Sequence, residues 1–245
     1  MQRFHDHAAC LALATALKGH LCETVFTAEV VEIAKGARIY QPGDPSVVLY
    51  RVVTGMVGLS SPAPDGDEVT LHLYGPGEIF GELCFCRGVH VHFATALEPS
   101  GLVCASAERV TAALQERPAL ALDLIGVLSD RLASAYADLQ AVAVDPLITR
   151  LARKLFDMCS AHDADGWCRL PRRFTHDELA RLLGVRRESL TRAMIDLRSL
   201  GLIDYGPHEP IRVARAAAPS FNFLGRRTAG PPRRKKTAHQ VRGGH

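Results

Sequence analysis

The sequence predicts an α+β protein: an N-terminal antiparallel β-roll, a long dimerisation helix and a C-terminal winged helix-turn-helix. Three observations carry that expectation. Short β-branched runs broken by glycine turns fill the region from about Val25 to Ala107, and an apolar heptad series follows them. A helix-start signature, a glycine turn and a second amphipathic helix then occupy the C-terminal third.

Within the β region, Val47 to Val53 is a β-branched run closed by Thr54-Gly55. From Val69 to Tyr74, Val69, Leu71 and Leu73 fall on one face and Thr70, His72 and Tyr74 on the other, the alternation of a strand. Turns are marked by Pro42-Gly43-Asp44-Pro45, Pro64-Asp65-Gly66-Asp67 and Gly75-Pro76-Gly77. Short, regularly spaced strands of this kind close into a small antiparallel barrel or roll.

From Ala107 the pattern turns helical. Ala121, Ile125, Leu128, Leu132, Ala135, Leu139 and Val142 recur at alternating spacings of four and three. So narrow a seam is what a helix needs to pack against a copy of itself, with Ile125, Leu128, Leu132 and Leu139 as the seam residues. Packing against the β domain is the competing use of such a stripe. Asp145-Pro146 reads as an N-cap followed by proline at the first helical position, and so as a hinge.

Thr175-His176-Asp177-Glu178 is a capping box that opens a short helix, Asp177 to Leu183, ending at Gly184. A second helix is expected from about Arg187 to Leu200. On it Leu190, Ala193, Met194 and Leu197 face a core, while Glu188, Thr191 and Arg192 lie opposite with Arg187 beside them. Two short helices around a glycine turn form a helix-turn-helix, and Leu202–Gly206 with Ile211–Val213 form its wing. Arginine presents two donors that match guanine, and glutamate accepts from cytosine, so Arg187, Glu188 and Arg192 suit base reading in double-stranded DNA. Their bland use is an ion pair between Glu188 and Arg192, which would also stiffen both side chains. Arg186 is a helix start without a side-chain cap and suits a phosphate contact; Thr175, Ser189 and Thr191 complete the expected DNA-facing set.

Hydrophobic residues make up 47% and charged residues 22% of the 245 residues, the balance of a soluble globular protein. The sequence holds no apolar run of the roughly 18 residues a membrane span requires, so no membrane association is expected. The N-terminus lacks the layout of a secretory signal, and a cytoplasmic location is expected. The seven cysteines (Cys10, Cys22, Cys84, Cys86, Cys104, Cys159 and Cys168) match no zinc or disulfide spacing, which favours free thiols. From Ala216 onward there are seven basic residues and no acidic ones, so a net charge of +3 becomes −4 once they are set aside. Such a tail is too polar to fold; it either attaches to polyanions or is a neutral extension. Nucleophile elbow, P-loop, dinucleotide and zinc-helix motifs are missing, which argues against an enzyme.

Glu78-Ile79-Phe80-Gly81-Glu82-Leu83 resembles the start of the phosphate-binding cassette of the Crp/Fnr superfamily of bacterial regulators, and Arg187-Glu188-Ser189-Leu190-Thr191-Arg192 resembles that family's recognition helix. The resemblance spans roughly residues 22 to 215. It implies an effector-sensing, cyclic-nucleotide-binding-like β-roll (22–110), a dimerisation helix (111–144), a winged helix-turn-helix (145–215) and a basic tail (216–245). It also implies a homodimer on a palindrome of TGTGA-like half-sites, acting with RNA polymerase. The implied effector pocket holds Gly81, Glu82, Leu83, Cys84, His92 and Phe93. Members that bind cyclic AMP close the cassette with an Arg-Ser pair, where this chain has His92-Phe93. Histidine is a part-time cation and phenylalanine no donor, so cyclic AMP is not expected. Cys10 and Cys22 are too far apart for the iron–sulfur cluster of the oxygen-sensing branch. Haem or another small effector stays open, with His72, His90, His92, Cys84 and Cys86 in or near the pocket, although no spacing assigns a metal site. A constitutive regulator with a ligand-free roll stays open as well.

Overall fold

The computed structural model describes residues 25–63, 66–82, 88–159, 163–207 and 209–217. Cys10, Cys22, Leu83, Cys84, Cys86, Arg87 and the basic residues of the tail lie outside them.

Eight strands build the N-terminal unit: β1 (Val31–Ile33), β2 (Arg38–Tyr40), β3 (Val48–Thr54), β4 (Val57–Pro62), β5 (Glu68–Tyr74), β6 (Ile79–Phe80), β7 (Phe93–Ala96) and β8 (Ser100–Ser106). They form two four-stranded sheets, ordered β1-β8-β3-β6 and β2-β7-β4-β5, with antiparallel pairing throughout. Val52, Leu102, Val57, Leu59, Tyr74 and Phe80 fill the space between the sheets. On the outer side of the first sheet, Leu49, Val103 and Ala105 form a second core with Val110, Ala113, Leu120 and Val127 from the helices that follow. Strand β8 is therefore buried on both faces, and β3 is buried at Leu49 on one face and at Val52 on the other, with Val53 and Thr54 exposed at its end.

Residues 111–144 hold two helices rather than one. Helix α1 (Ala107–Glu116) ends at Arg117, whose φ of −134° and ψ of 86° are extended, and α2 (Ala119–Val144) starts after Pro118. Proline disfavours the α conformation in the residue before it, so the break falls where sterics put it. The 26 residues of α2 span about 39 Å. Its inner face (Leu120, Leu124, Val127) joins the second core.

Asp145 closes α2 instead of capping the next helix, α3 (Leu147–Asp157), whose N-cap position is taken by Pro146. The Asp145 carboxylate is 2.7 Å from Arg153, one helix on, and that ion pair replaces the expected cap. The rest of the C-terminal unit comprises β9 (Trp167–Arg169), α4 (His176–Leu183), α5 (Arg187–Ser199), β10 (Ile203–Asp204) and β11 (Arg212–Ala214). The wing pairs β10 with β11, and β9 adds a third antiparallel strand. A 3-10 turn at Arg215–Ala217 buries Ala217 in the core of this unit, so the folded body runs past Ala216, where the tail was expected to begin.

Leu190 is fully buried at the centre of that core. Leu190→Ala is expected to cost about 2–5 kcal/mol in urea unfolding, the range for deleting buried methyl groups and leaving a cavity. A change within 0.5 kcal/mol or so, the scale of a surface substitution, would show that this face of α5 is not packed.

Candidate nucleic-acid interface and effector pocket

The start of α4 is fixed by a reciprocal pair. Thr175 Oγ1 accepts the Glu178 N–H at 3.2 Å, and Glu178 Oε2 accepts the Thr175 N–H at 2.7 Å. Arg172 donates to Glu178 Oε1 at 2.9 Å and lies over the Phe174 ring. Burial opposes the Glu178 carboxylate, but Arg172 and the Thr175 cap hold its pKa below the ordinary value. At the far end Gly184 adopts φ 62° and ψ 42°, left-handed geometry that glycine enters without a Cβ penalty. The chain reverses there and launches α5.

On α5, Leu190, Ala193, Met194 and Leu197 are buried, as their spacing predicts. Arg186, Arg187, Glu188, Ser189 and Arg192 are exposed, and Thr191 is half-buried with Oγ1 3.0 Å from His176 Nδ1. Arg186 holds the N-cap position with no side-chain cap, also as expected. The ion pairs among the described residues do not join Glu188 to Arg192; Arg187 leans instead on Asp177, at 3.6 Å. One exposed helical turn thus presents two guanidinium groups and a carboxylate on a backbone held by four buried side chains.

This unit sits against the roll. Leu73 and Leu97 pack on its core, which includes Met56, and Arg172 Nε lies 3.4 Å from the Met56 sulfur. Strand β5 therefore serves two cores: Tyr74 fills the roll while Leu73, one residue before, meets the helix-turn-helix. Beside the contact, a cleft of about 440 Å³ has Asp67 and Glu68 on one wall and Arg186 and Arg187 on the other. The Arg38 hydrogen bond, with help from Ser60 and the charge of Arg181, holds the Glu68 pKa below the ordinary value.

In the roll, Gly81 has φ +95°, and a Cβ there would stand 2.9 Å from the Val48 carbonyl oxygen, so the turn admits little but glycine. It delivers Glu82 inward with 3% of its side chain exposed. Glu82 Oε1 pairs with Arg131 from α2, which also donates to the Ile79 carbonyl and lies over the Tyr74 ring. Among the described residues Glu82 Oε2 is buried without a hydrogen-bond partner, and so is His92 Nδ1. Burial pushes the His92 pKa below its ordinary value. His90 stacks on Tyr40 at 3.6 Å, and burial lowers its pKa as well, against the pull of Asp44. His72 stands 3.8 Å from Glu78, close enough for charge but too far for a hydrogen bond.

Phe93 does not join this group. Its neighbour Ala94 fills the roll's core, so Phe93 turns to the opposite face of β7, where the Arg38 guanidinium lies 4.2 Å over its ring. Arg131, missed from the sequence, is the residue that completes Glu82. Its one signal is a cation at the position one turn beyond Val127 on the inner face of α2. Cys104, Cys159 and Cys168 are free thiols, and burial pushes Cys159 up to about 12. Among the described residues no group of three or more His, Cys, Asp and Glu side chains is placed to hold a metal ion.

A cyclic nucleotide-binding domain profile matches residues 30–117, and a Crp-like helix-turn-helix domain profile matches residues 149–218. The chain is 33% identical over 190 residues to the transcriptional regulator SdrP of Thermus thermophilus, covering 73% of this chain and 86% of that protein. The chain belongs to the Crp/Fnr family. A cyclic AMP receptor protein of the same organism is 30% identical over 174 residues, or 71% of this chain and 78% of the relative. The crystal structure of a CRP/FNR-family regulator from Thermus thermophilus superimposes with a TM-score of 0.60 at 32% identity, covering 76% of this chain and 93% of that one. These relatives are transcription regulators, not enzymes, and this Crp/Fnr protein is a DNA-binding transcription regulator of the same kind. Among the described residues no helix is long and apolar enough to cross a membrane.

Arg131→Met leaves the Glu82 carboxylate buried and unpaired, and is expected to cost on the order of 3 kcal/mol in urea unfolding. Adding Glu82→Gln to it should recover part of the loss, because the stranded charge is then gone. If the single and double changes unfold alike, the pair contributes no coupling.

Proposed function

We propose that this regulator binds a palindromic operator as a homodimer, reads each TGTGA-like half-site with Arg187, Glu188 and Arg192, and is controlled by a small effector in the β-roll. The observation that carries the reading is the exposed Arg-Glu-Arg turn on a helix whose opposite face is fully buried. Arginine forks match guanine edges in the major groove, and Arg186 at the helix start is placed for a phosphate.

A palindrome calls for two recognition helices related by symmetry. The outer face of α2 supplies the contact: Ile125, Leu128, Leu132 and Leu139 are 56%, 38%, 53% and 67% exposed, while the inner face is packed on the roll. An apolar stripe of this length left in water favours a second copy of itself.

Control follows from two features. The roll is docked on the helix-turn-helix, and the carboxylates of Asp67 and Glu68 stand across a cleft from Arg186 and Arg187, where a DNA phosphate would compete with them. An effector shifts operator affinity if it binds one arrangement of roll and helix-turn-helix better than another. Glu82 Oε2, which has no partner among the described residues, is placed to accept from a ligand hydroxyl or amine. Among the described residues cyclic AMP lacks its usual partners. Burial lowers the pKa of His90 and His92 and so disfavours their cationic forms, Phe93 turns to the outer face, and Arg131 is committed to Glu82. Burying a phosphate without a fixed cation is strongly unfavourable.

Three outcomes are expected. Arg187→Ala or Arg192→Ala should cost about 1–3 kcal/mol on a TGTGA-type palindrome, measured by fluorescence anisotropy, and relax preference at one base pair. Unchanged discrimination against a scrambled duplex in both variants would remove α5 as the reader. Leu132→Glu places a charge in the stripe and should give monomers by light scattering with loss of palindrome binding; an undiminished dimer would put the interface elsewhere. Cyclic AMP at micromolar concentration should give no binding heat in calorimetry and no gain in operator affinity, and a micromolar or tighter complex would refute that exclusion.

A further inference from the structure

A cavity of about 340 Å³ lies where β5, α2, α3 and α4 meet. Leu71 walls it from the roll, Ala141 and Val142 from α2, and Leu182 from α4. The polar lining comes from the face of α3 turned to it, with Asp138 of α2 and Thr70 of β5. There Arg153 is paired with Asp145, and Lys154 with Asp138 at 3.2 Å. Arg150 has no ion pair among the described residues, and its Nε is buried without a hydrogen-bond partner. A buried guanidinium N–H left unmatched is costly, and an arginine fork is shaped for a carboxylate. Asp157 does not neutralise it. Asp157 is seven residues along the helix, an axial separation of about 10 Å by the rise per residue, and no ion pair joins the two among the described residues. Burial raises its pKa, and the charges acting on it are those of Lys154, Arg153 and Asp138.

We infer that this junction cavity is a binding site for a small amphipathic monocarboxylate, whose headgroup pairs with Arg150 and whose apolar body lies against Leu71, Ala141, Val142 and Leu182. The size fits, since 340 Å³ holds a ligand of about a dozen heavy atoms at the packing of small-molecule sites. The position gives the site its consequence. Its walls come from the roll, the long helix and the helix-turn-helix together, so the site exists only while the two units are docked. A ligand there holds the docked arrangement, with Asp67 and Glu68 beside the recognition helix, and so lowers DNA affinity. The site is separate from the Glu82 pocket inside the roll.

The test uses the full-length protein and octanoate as probe, with octan-1-ol as the neutral control, followed by calorimetry and methyl NMR. Octanoate is expected to bind at least tenfold more tightly than octan-1-ol, with shifts confined to the methyl groups of Leu71, Ala141, Val142 and Leu182. Arg150→Met should abolish that preference for the carboxylate, Arg150→Lys should restore part of it, and Leu71→Trp should block both probes. The Trp change sits at a half-exposed strand position and serves if the Arg150 variants fail to fold. Equal binding of the two probes to the parent protein, unchanged octanoate affinity in Arg150→Met, or shifts centred on Tyr74 and Glu82 would each overturn the site. Saturating octanoate should weaken operator binding by threefold or more, and unchanged operator affinity would overturn the coupling. This last arm rests on the DNA-binding reading: octanoate binding in a protein with no operator affinity would sink that reading and leave the site standing.

Discussion

Glu82 is held almost completely out of water, and a carboxylate in that position must have a cation beside it. Arg131 supplies the charge from a separate element, so the inward turn of the roll and the long helix are tied at a point that neither can leave cheaply. The same guanidinium takes the Ile79 carbonyl and the Tyr74 ring, which fixes its direction as well as its distance. Once Arg131 faces the roll, the azimuth of all of α2 is set. Leu120, Leu124 and Val127 go inward, and Ile125, Leu132 and Leu139 are left outward. The stripe that is free for a second copy is a consequence of which side Arg131 is called to.

The second organising feature is that β5 serves two cores. In a free-standing roll the outer side of an antiparallel strand would be polar. Here Val69, Leu71 and Leu73 alternate with Thr70, His72 and Tyr74, and the apolar set is spent outside the roll, on the helix-turn-helix and the junction cavity. Burial of these side chains favours docking, while the acidic pair at the start of the strand meets the basic start of α5 across a solvent-filled cleft. Docking of this kind holds the DNA-binding unit without hiding its reading face, because Glu188 and Arg192 remain exposed.

Much of this was legible in the sequence because it is local. Thr175 and Glu178 are three apart and Gly184 closes the same short helix, so cap, helix and turn follow from one stretch of chain. The inner residues of α5 and the outer stripe of α2 follow from helical periodicity alone. What was not legible depends on pairing at a distance. Glu82 and Arg131 are 49 residues apart, and no spacing rule joins them. Phe93 was placed in the pocket by counting along a cassette, but its direction is set by the parity of β7 against β4, where Ala94 is opposite Leu59. Asp145 followed by proline satisfies the rule for a helix start, yet the nearby Arg153 offers the carboxylate a charge-assisted partner, which outweighs a neutral cap. The break at Pro118 was available from the proline itself and was masked by the unbroken apolar rhythm on either side.

These constraints meet on α2. Its inner face carries Arg131 to the roll, its outer face carries the stripe, and its end passes through Asp145 and the Arg153 pair into the helix-turn-helix. A helix is stiff, and successive residues turn by about 100°, so a change in how Arg131 sits against Glu82 cannot be absorbed locally. In the proposed dimer it would turn the stripe against its copy and move the anchor at Asp145 together. Under the proposed control, a ligand that competes for Glu82 would act on the dimer seam and on the placement of α5 through one rigid element, beginning at Oε2, which has no partner among the described residues.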